Sequence, residues 1–366
     1  MISIGAICNL NGSQAPLDIL SSQGALLAAE VINAQEPERK VQVILKDGES
    51  NGTQIAAAAR ELADDPDVGI IIGLSDTDMV VPAMEALKGT GLLFLTSGAT
   101  SPLLPLDFGD NLYLACFGDN AQGAVAAEYA AEDLSAKTAV VMYDSSMNYT
   151  TLIAGYFTTR FEELGGPVLQ DLPILPGNEG LVKAIETLSE DQPDILYLAV
   201  GPDDAPGVIN LLDEAGIDIP VFGGDSYDTP ELAEAAGSTG MTVYYTTHAS
   251  FADEGQIPEV AAFIAAYNER YQTMPDAFAG FGYDAVHLAV QAVLGSEPDG
   301  VIHQGFSKIQ GFKGVTGVYS YEHGSSVPEK SVTLMRADSS GQVKNRGFCA
   351  GFHPPCIIFR FRLRNS

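Results

Sequence analysis

Residues 91–102, GLLFLTSGATSP, run from an apolar stretch directly into small hydroxyl and glycine positions and then a proline. Residues 68–78, VGIIIGLSDTD, repeat that design about one strand and one helix earlier. Apolar runs of this length bounded by turn residues read as buried strands. Two such neighbours bring Ser75, Ser97 and Thr100 together at their C-terminal ends. Hydroxyls and backbone N–H groups beside helix N-termini form a cradle for an anion such as a carboxylate, so the chemistry implied is the holding of a small molecule. Each residue alone has a plainer use as a helix cap. Their joint occurrence where open α/β sheets hold ligands favours binding.

The signatures of other chemistries are missing. The sequence has no GxxxxGK[ST], HExxH or GxSxG, and no GxGxxG following a strand, so nucleotide binding, zinc proteolysis and esterase chemistry lose their usual supports. His248, His287, His303, His323 and His353 are scattered and read as core or surface histidines. Cys8, Cys116, Cys349 and Cys356 form no C-x-x-C pair, and the first two lie in apolar runs as small buried hydrophobes. Neither metal nor cofactor is expected. Residues 47–52, DGESNG, open like a calcium loop, but its twelfth position is Ala58 where a bidentate Glu is required, so they read as a strand-to-helix turn. Asn11, Asn51 and Asn148 begin Asn-x-Ser/Thr triplets, which matter only in a glycosylating host.

The elements that must position these residues alternate regularly. Strand-like runs at 3–10, 41–46, 68–74, 92–96 and 112–117 are separated by helical segments at 22–34, 53–63, 79–88 and 121–134, with Thr53 and Asp78 as candidate caps. The alternation restarts at 138–143, 167–174, 194–200, 221–223 and 241–246, which predicts a second lobe of the same kind. Helices at 258–271 and 283–294 follow, then strands at 314–321 and 331–337. The fold class is α/β, with two doubly wound parallel-sheet lobes joined by a hinge of several crossovers, near Gly118, near Thr247 and near 322–327. Residues 1–118 with 249–324 are expected to form the first lobe, and 119–248 with 325–343 the second.

The chain has 366 residues, 46% of them hydrophobic, enough for two lobes with cores of their own. With 18 Lys+Arg against 48 Asp+Glu the net charge is −30, a field that repels phosphate backbones and anionic lipids and excludes nucleic acid as a partner. No apolar run approaches the ~20 residues of a membrane span. The N-terminus lacks a signal-peptide pattern, so an exported protein would be present here in trimmed form. After Asp338 there is no acidic residue, while Lys344, Arg346, Arg360, Arg362 and Arg364 are basic; residues 344–366 read as an atypical, non-native or disordered tail.

The opening IGAICNLNGSQAPLDILSSQGALLAAEVINAQ, followed in order by VQVILKDGES, IIIGLSDTD, FLTSGATSP, CFGDNAQG and YDSSMNYT, resembles the leucine/isoleucine/valine-binding proteins, the type I periplasmic receptors of amino-acid ABC transporters. The resemblance runs from about Ile2 to about Val343. It implies a non-enzymatic, periplasmic or otherwise extracytoplasmic receptor for a small L-amino acid, with a membrane permease as partner. It also implies roles for residues. Ser75 matches the hydroxyl holding the α-carboxylate, and Thr100 with the backbone of Ala99 matches the rest of that cradle. Asp119 and Asp225 match acids that receive the α-ammonium from the second lobe, and Tyr149 an aromatic packed over the ligand.

Leu17, Leu74, Asp76, Gly98, Gly201 and Asp203 are expected at the pocket rim. Leu17 and the Gly201-Pro202-Asp203-Asp204 run stand where relatives carry aromatics, which widens the side-chain pocket or makes it more polar. An aliphatic or small amino acid is the first expectation. A sensory module for an amide, urea or small carboxylate is the second, and an α/β enzyme using Asp119 or Asp225 the third. Asp225→Ala and Asp119→Ala are each expected to abolish amino-acid binding while leaving the unliganded melting point nearly unchanged.

Overall fold

The computed structural model describes residues 1–175, 179–251, 257–296, 302–321, 325–337, 339 and 343–348. The first half of the chain runs β1 (Ile2–Cys8), α1 (Ala15–Gln35), β2 (Val41–Asp47), α2 (Gly52–Ala63), β3 (Val68–Gly73), α3 (Thr77–Leu87), β4 (Leu93–Thr96), α4 (Leu104–Phe108), β5 (Leu112–Leu114), α5 (Asp119–Glu128), β6 (Ala139–Asp144), α6 (Asn148–Glu163) and β7 (Val168–Ile174). It continues with α7 (Glu179–Asp191), β8 (Ile195–Ala199), α8 (Ala205–Glu214), β9 (Val221–Gly223), α9 (Pro230–Thr239), β10 (Val243–Thr247), α10 (Pro258–Tyr271), α11 (Ala277–Gly295) and α12 (His303–Phe306). The last elements are β11 (Phe312–Gly314), β12 (Gly317–Tyr319), β13 (Thr333–Ala337) and β14 (Val343–Phe348).

One lobe holds a five-stranded parallel sheet in the order β2-β1-β3-β4-β5. Its strands are nearly continuous Ile, Val and Leu because helices cover both faces. The late helix α11 returns to this lobe, placing Ala285, Leu288 and Ala289 in the core with Ile4, Ile70 and Ile72. That burial explains why α11 is long and apolar enough to cross a bilayer by composition while 72% of its apolar window is enclosed by protein.

The second lobe is a seven-stranded sheet, β14-β13-β10-β9-β8-β6-β7. Its last two strands depart from the expected all-parallel arrangement. The chain re-enters this lobe from the hinge end, so β13 lies antiparallel to β10, and β14 lies antiparallel to β13. Residues 344–348, assigned by composition to the tail, are therefore sheet, and the rest of that tail lies outside the described residues. The strand expected over 314–321 is a hairpin instead, β11 with β12, turned at Val315-Thr316 by the Asp284 carboxylate, which accepts from both backbone N–H groups.

Helix starts also differ from expectation. Asn51 and Asp76, not Thr53 and Asp78, cap α2 and α3, each accepting two backbone N–H bonds. The helix expected over 22–34 begins at Ala15, because its start brings Gln14 and Leu17 to the interlobe space and buries Asp18 against Asn9 and Ser75 rather than showing a plain apolar stripe. The calcium-like segment is a turn: Asp47 accepts from the N–H groups of Leu10 and Glu49 and from the Asn11 amide. Cys8 and Cys116 are buried free thiols.

Three passages join the lobes, after β5, after β10 and before β13. They are knitted together, with the Leu114 N–H donating to the Ser326 carbonyl at 2.9 Å and the Tyr321 hydroxyl to the Leu114 carbonyl at 2.7 Å. Residues 322–324 of the third expected crossover lie outside the described residues.

Candidate functional site

The C-terminal ends of the parallel strands of the two sheets face each other across a narrow interlobe cavity. The first lobe lines it with Gln14, Leu17, Ser75, Asp76, Thr100 and Phe278. Met147, Tyr149, Pro202, Asp225 and Ser226 line it from the second. The lobes also touch at the cavity mouth, where the Asp78 carboxylate accepts the Asn148 backbone N–H at 2.8 Å and the Asn148 side-chain amide.

The first-lobe wall is built by tight turns. Gly73 and Leu74 both have positive φ, +117° and +54°. A Cβ at Gly73 would lie 2.0 Å from the Ile7 carbonyl oxygen, so only glycine fits. Leu74 accepts the strain with its side chain sunk among Ile7, Ile55 and Val80, and Thr96 anchors the turn by donating to the Leu74 carbonyl at 2.6 Å. The outcome is that Ser75 is aimed across the cleft.

The donors expected of this wall are partly engaged already. Asp18 accepts the Ser75 N–H at 2.9 Å, and the Ala99 N–H donates to Thr96 Oγ1 at 3.0 Å while its carbonyl accepts the Cys116 thiol at 3.1 Å. Ala99 is thus a buttress, and its backbone does not extend the cradle. The Ser75 hydroxyl lies 3.4 Å from Ser97 Oγ, which Ser21 reaches from α1 at 3.3 Å. Acids stand on this side too. Burial, reinforced by the charge of Asp78, raises the Asp76 carboxyl to about 7, and burial raises Asp18 to about 6.

The second-lobe wall is centred on Asp225, 3% exposed. Its Oδ1 accepts from the Tyr149 hydroxyl at 2.9 Å and from Gln122 Nε2 at 3.0 Å, and its Oδ2 lies 3.0 Å from His248 Nε2. Gln122 is clamped in return, its Oε1 accepting from the Asp225 N–H at 3.0 Å and from Thr246 at 2.6 Å. His248 stacks on Phe117 with ring centroids 3.6 Å apart, and burial lowers its pKa to about 4 against the opposing pull of Asp225. It is a neutral imidazole at pH 7 that donates from Nε2. Asp119, fully buried beside this cluster, is held by Thr100 through a hydrogen bond, yet its Oδ2 has no partner. Burial first, then the charges of Asp225 and Asp76, push its carboxyl well above the usual range.

Of the residues singled out by sequence, Leu17, Ser75, Asp76, Thr100, Tyr149 and Asp225 meet around one cavity. Leu74, Gly98, Ala99, Asp119, Gly201 and Asp203 are not part of its lining. Gly98 packs against Ser75 and Phe278, Gly201 has no side chain to offer, and Asp203 is exposed toward the charge of Glu231. Sequence reasoning missed Gln14, Met147, Ser226, Phe278, Gln122 and His248. Gln122 carried a usable signal, lying three residues after Asp119 and so on the same face of α5.

One consequence is measurable without a ligand. A carboxyl whose folded pKa lies above its unfolded value stabilises the fold at low pH and loses that contribution as pH rises through the folded pKa. Asp76, at about 7, removes about 1 kcal/mol of stability between pH 6.5 and 8 on its own. Asp119 and, more strongly, Asp276, which burial raises to about 8, act in the same direction, Lys330, which burial lowers to about 8, opposes them, and His248 titrates only below this window, so Asp76 accounts for a part of the fall. The unliganded melting temperature should fall from pH 6.5 to 8, and Asp76→Asn should flatten that fall; a melting temperature rising across this range would contradict the assignment.

The profile of a family described as periplasmic binding protein matches residues 1–342. Leu/Ile/Val-binding protein homolog 3 of Brucella melitensis is 25% identical over 247 residues, 67% of each chain. The solved leucine binding protein LivK of Thermotoga maritima superposes with a TM-score of 0.86 at 23% identity, covering 95% of this chain and 98% of that one. The branched-chain amino acid transporter substrate binding protein LivJ of Streptococcus pneumoniae, in complex with isoleucine, gives a TM-score of 0.86 at 25% identity over 95% of this chain and 99% of that one. With its two lobes, its knitted hinge and its interlobe cavity, this chain belongs to the periplasmic binding protein family.

Proposed function

We propose that this protein is the extracytoplasmic solute receptor of an ABC importer, and that it captures an L-amino acid between its two lobes and presents the closed form to a membrane permease. Ser75 and Thr100 receive the α-carboxylate, while Asp225 and Asp119 receive the α-ammonium and Tyr149 packs over the ligand backbone. The observation that carries this reading is Asp225 lining the cavity from the second lobe while Ser75 and Thr100 line it from the first, with the unpaired, fully buried Oδ2 of Asp119 close by but outside the lining. A buried carboxylate without a donor is costly, and an ammonium entering between the lobes supplies one. Only the closed form touches both ends of the ligand, so binding favours closure. The names of the relatives, which describe receptors for leucine and other branched-chain amino acids, support the same reading.

A thermal-shift screen tests it. At ~1 mM, an amino acid with a Kd near ~1 µM adds about 4 kcal/mol of stability. At least one L-amino acid should raise the melting temperature by several degrees. A shift given only by amides, urea or carboxylates lacking an ammonium would overturn the assignment.

A further inference from the structure

The electrostatics of the cavity do not match a ligand that is neutral overall. Asp76 lines it from the first lobe and Asp225 from the second, with Asp119 buried against Thr100, and among the described residues no lysine or arginine lines it. His248, the nearest basic side chain on the second lobe, is neutral at pH 7. Asp225 already accepts from three donors, which disperse its charge within the protein. Asp76 has only the two backbone N–H groups of its own helix turn, both on Oδ1. It is 5% exposed, and what exposure it has faces the cavity.

A second observation lies on the same wall. Gln14 is 4% exposed, and its Oε1 has no hydrogen-bond partner although the residue lines the cavity. A buried carbonyl oxygen of this kind costs free energy unless a donor reaches it. The first lobe therefore lines the cavity with an acidic acceptor and an amide acceptor, in addition to the acids of the second lobe. A single α-ammonium has three N–H donors, which the Asp119 and Asp225 side can absorb. A zwitterion with an aliphatic side chain would bring no donor to Asp76 Oδ2 or to Gln14 Oε1.

We propose that the ligand carries a second cationic, hydrogen-bond-donating group held by Asp76 and Gln14, so that it is a basic amino acid or a diamine and not an aliphatic amino acid. This rests on reading the cavity as the site of an amine-bearing solute, and it replaces the aliphatic side chain that the sequence suggests. Leu17, Met147 and Phe278 supply apolar surface for the methylene chain between the two cationic ends.

The test compares L-ornithine, L-lysine, L-arginine and 1,4-diaminobutane with L-leucine and L-glutamine by titration calorimetry, on the wild type and on Asp76→Asn, which keeps a capping side chain on α3. At least one of the four cations should bind ten-fold or more tighter than L-leucine, and Asp76→Asn should remove that preference. Gln14→Leu should weaken the same cation several-fold and serves as the second variant if Asp76→Asn does not fold. Tight binding of L-leucine without binding of any cation would overturn this inference and leave the amino-acid reading standing. Binding of 1,4-diaminobutane with no amino acid bound would support it and overturn the amino-acid reading. An undiminished cation preference in both variants, or no binding of either class, would overturn it.

Discussion

Replacing Asp225 by Ala should cost the unliganded protein about 3–5 kcal/mol, in addition to abolishing ligand binding. The sequence alone suggested that the melting point would hardly move. The geometry argues otherwise, because this carboxylate is the shared acceptor for Tyr149, Gln122 and His248, all on separate elements. Its removal orphans three buried donors at once, each worth about 1–3 kcal/mol when left unpaired. Binding of whichever amino acid or diamine gives the largest thermal shift should weaken by more than about a hundred-fold, as expected when one member of a buried charge pair is lost. Asp119→Asn provides the contrast. Its carboxyl has an unpaired oxygen and is already costly to bury, so this variant should lose ligand affinity while its unliganded melting temperature stays level or rises at pH 8. Thermal melts with and without ligand check both variants. An Asp225→Ala protein that melts like the wild type would show that the three-donor hub contributes nothing.

The second large effect is expected far from any polar group. Helices α1 and α11 cross so closely that a Cβ at Gly282 would sit 1.8 Å from the Ser21 carbonyl oxygen, and one at Gly24 would sit 1.9 Å from that of Ala279. Backbone meets backbone at both points, and no side chain can turn aside. Gly282→Ala must therefore separate the helices, at about 3 kcal/mol, which outweighs the ~1 kcal/mol that alanine gains over glycine in an unhindered helix. The control is Gly155→Ala on α6, where a Cβ would meet nothing within 4 Å and the position is exposed. That variant should be stabilised by about 0.5–1 kcal/mol. Because α1 carries Gln14 and Leu17 to the cavity and α11 carries Phe278, Gly282→Ala should also weaken the ligand measurably. Denaturant midpoints decide the matter, and equal midpoints for Gly282→Ala and the wild type would refute the close-packing argument.

These two cases mark where sequence reading succeeds and where it stops. Ser75 and Thr100 were legible because a strand end is a local pattern: an apolar run, then glycine and hydroxyls, then a helix start. The capping positions were missed by one or two residues, since Thr53 and Asn51, like Asp78 and Asp76, are chemically interchangeable as caps until backbone angles are known. The N-terminal turns of α1 were missed because they face a cleft and carry no apolar stripe. The hairpin at 312–319 was read as one strand because the Asp284 side chain that folds it comes from α11.

The sequence by itself determined the alternation of strands and helices, the two-lobe plan and the strand ends that line the interlobe cavity. Those are short-range consequences of residue type and period, written into contiguous stretches of chain. Tertiary structure alone decided which side chains face each other across the cleft. Gln122 meets Asp225 at a separation of 103 residues, and His248 reaches the same carboxylate from a hinge passage. The sum of charge around the cavity, acids on both walls with no lysine or arginine among the described lining residues, follows from those meetings and is invisible in the chain's net charge of −30. Composition counts every acid equally, whereas burial singles out the few whose charge a ligand must answer.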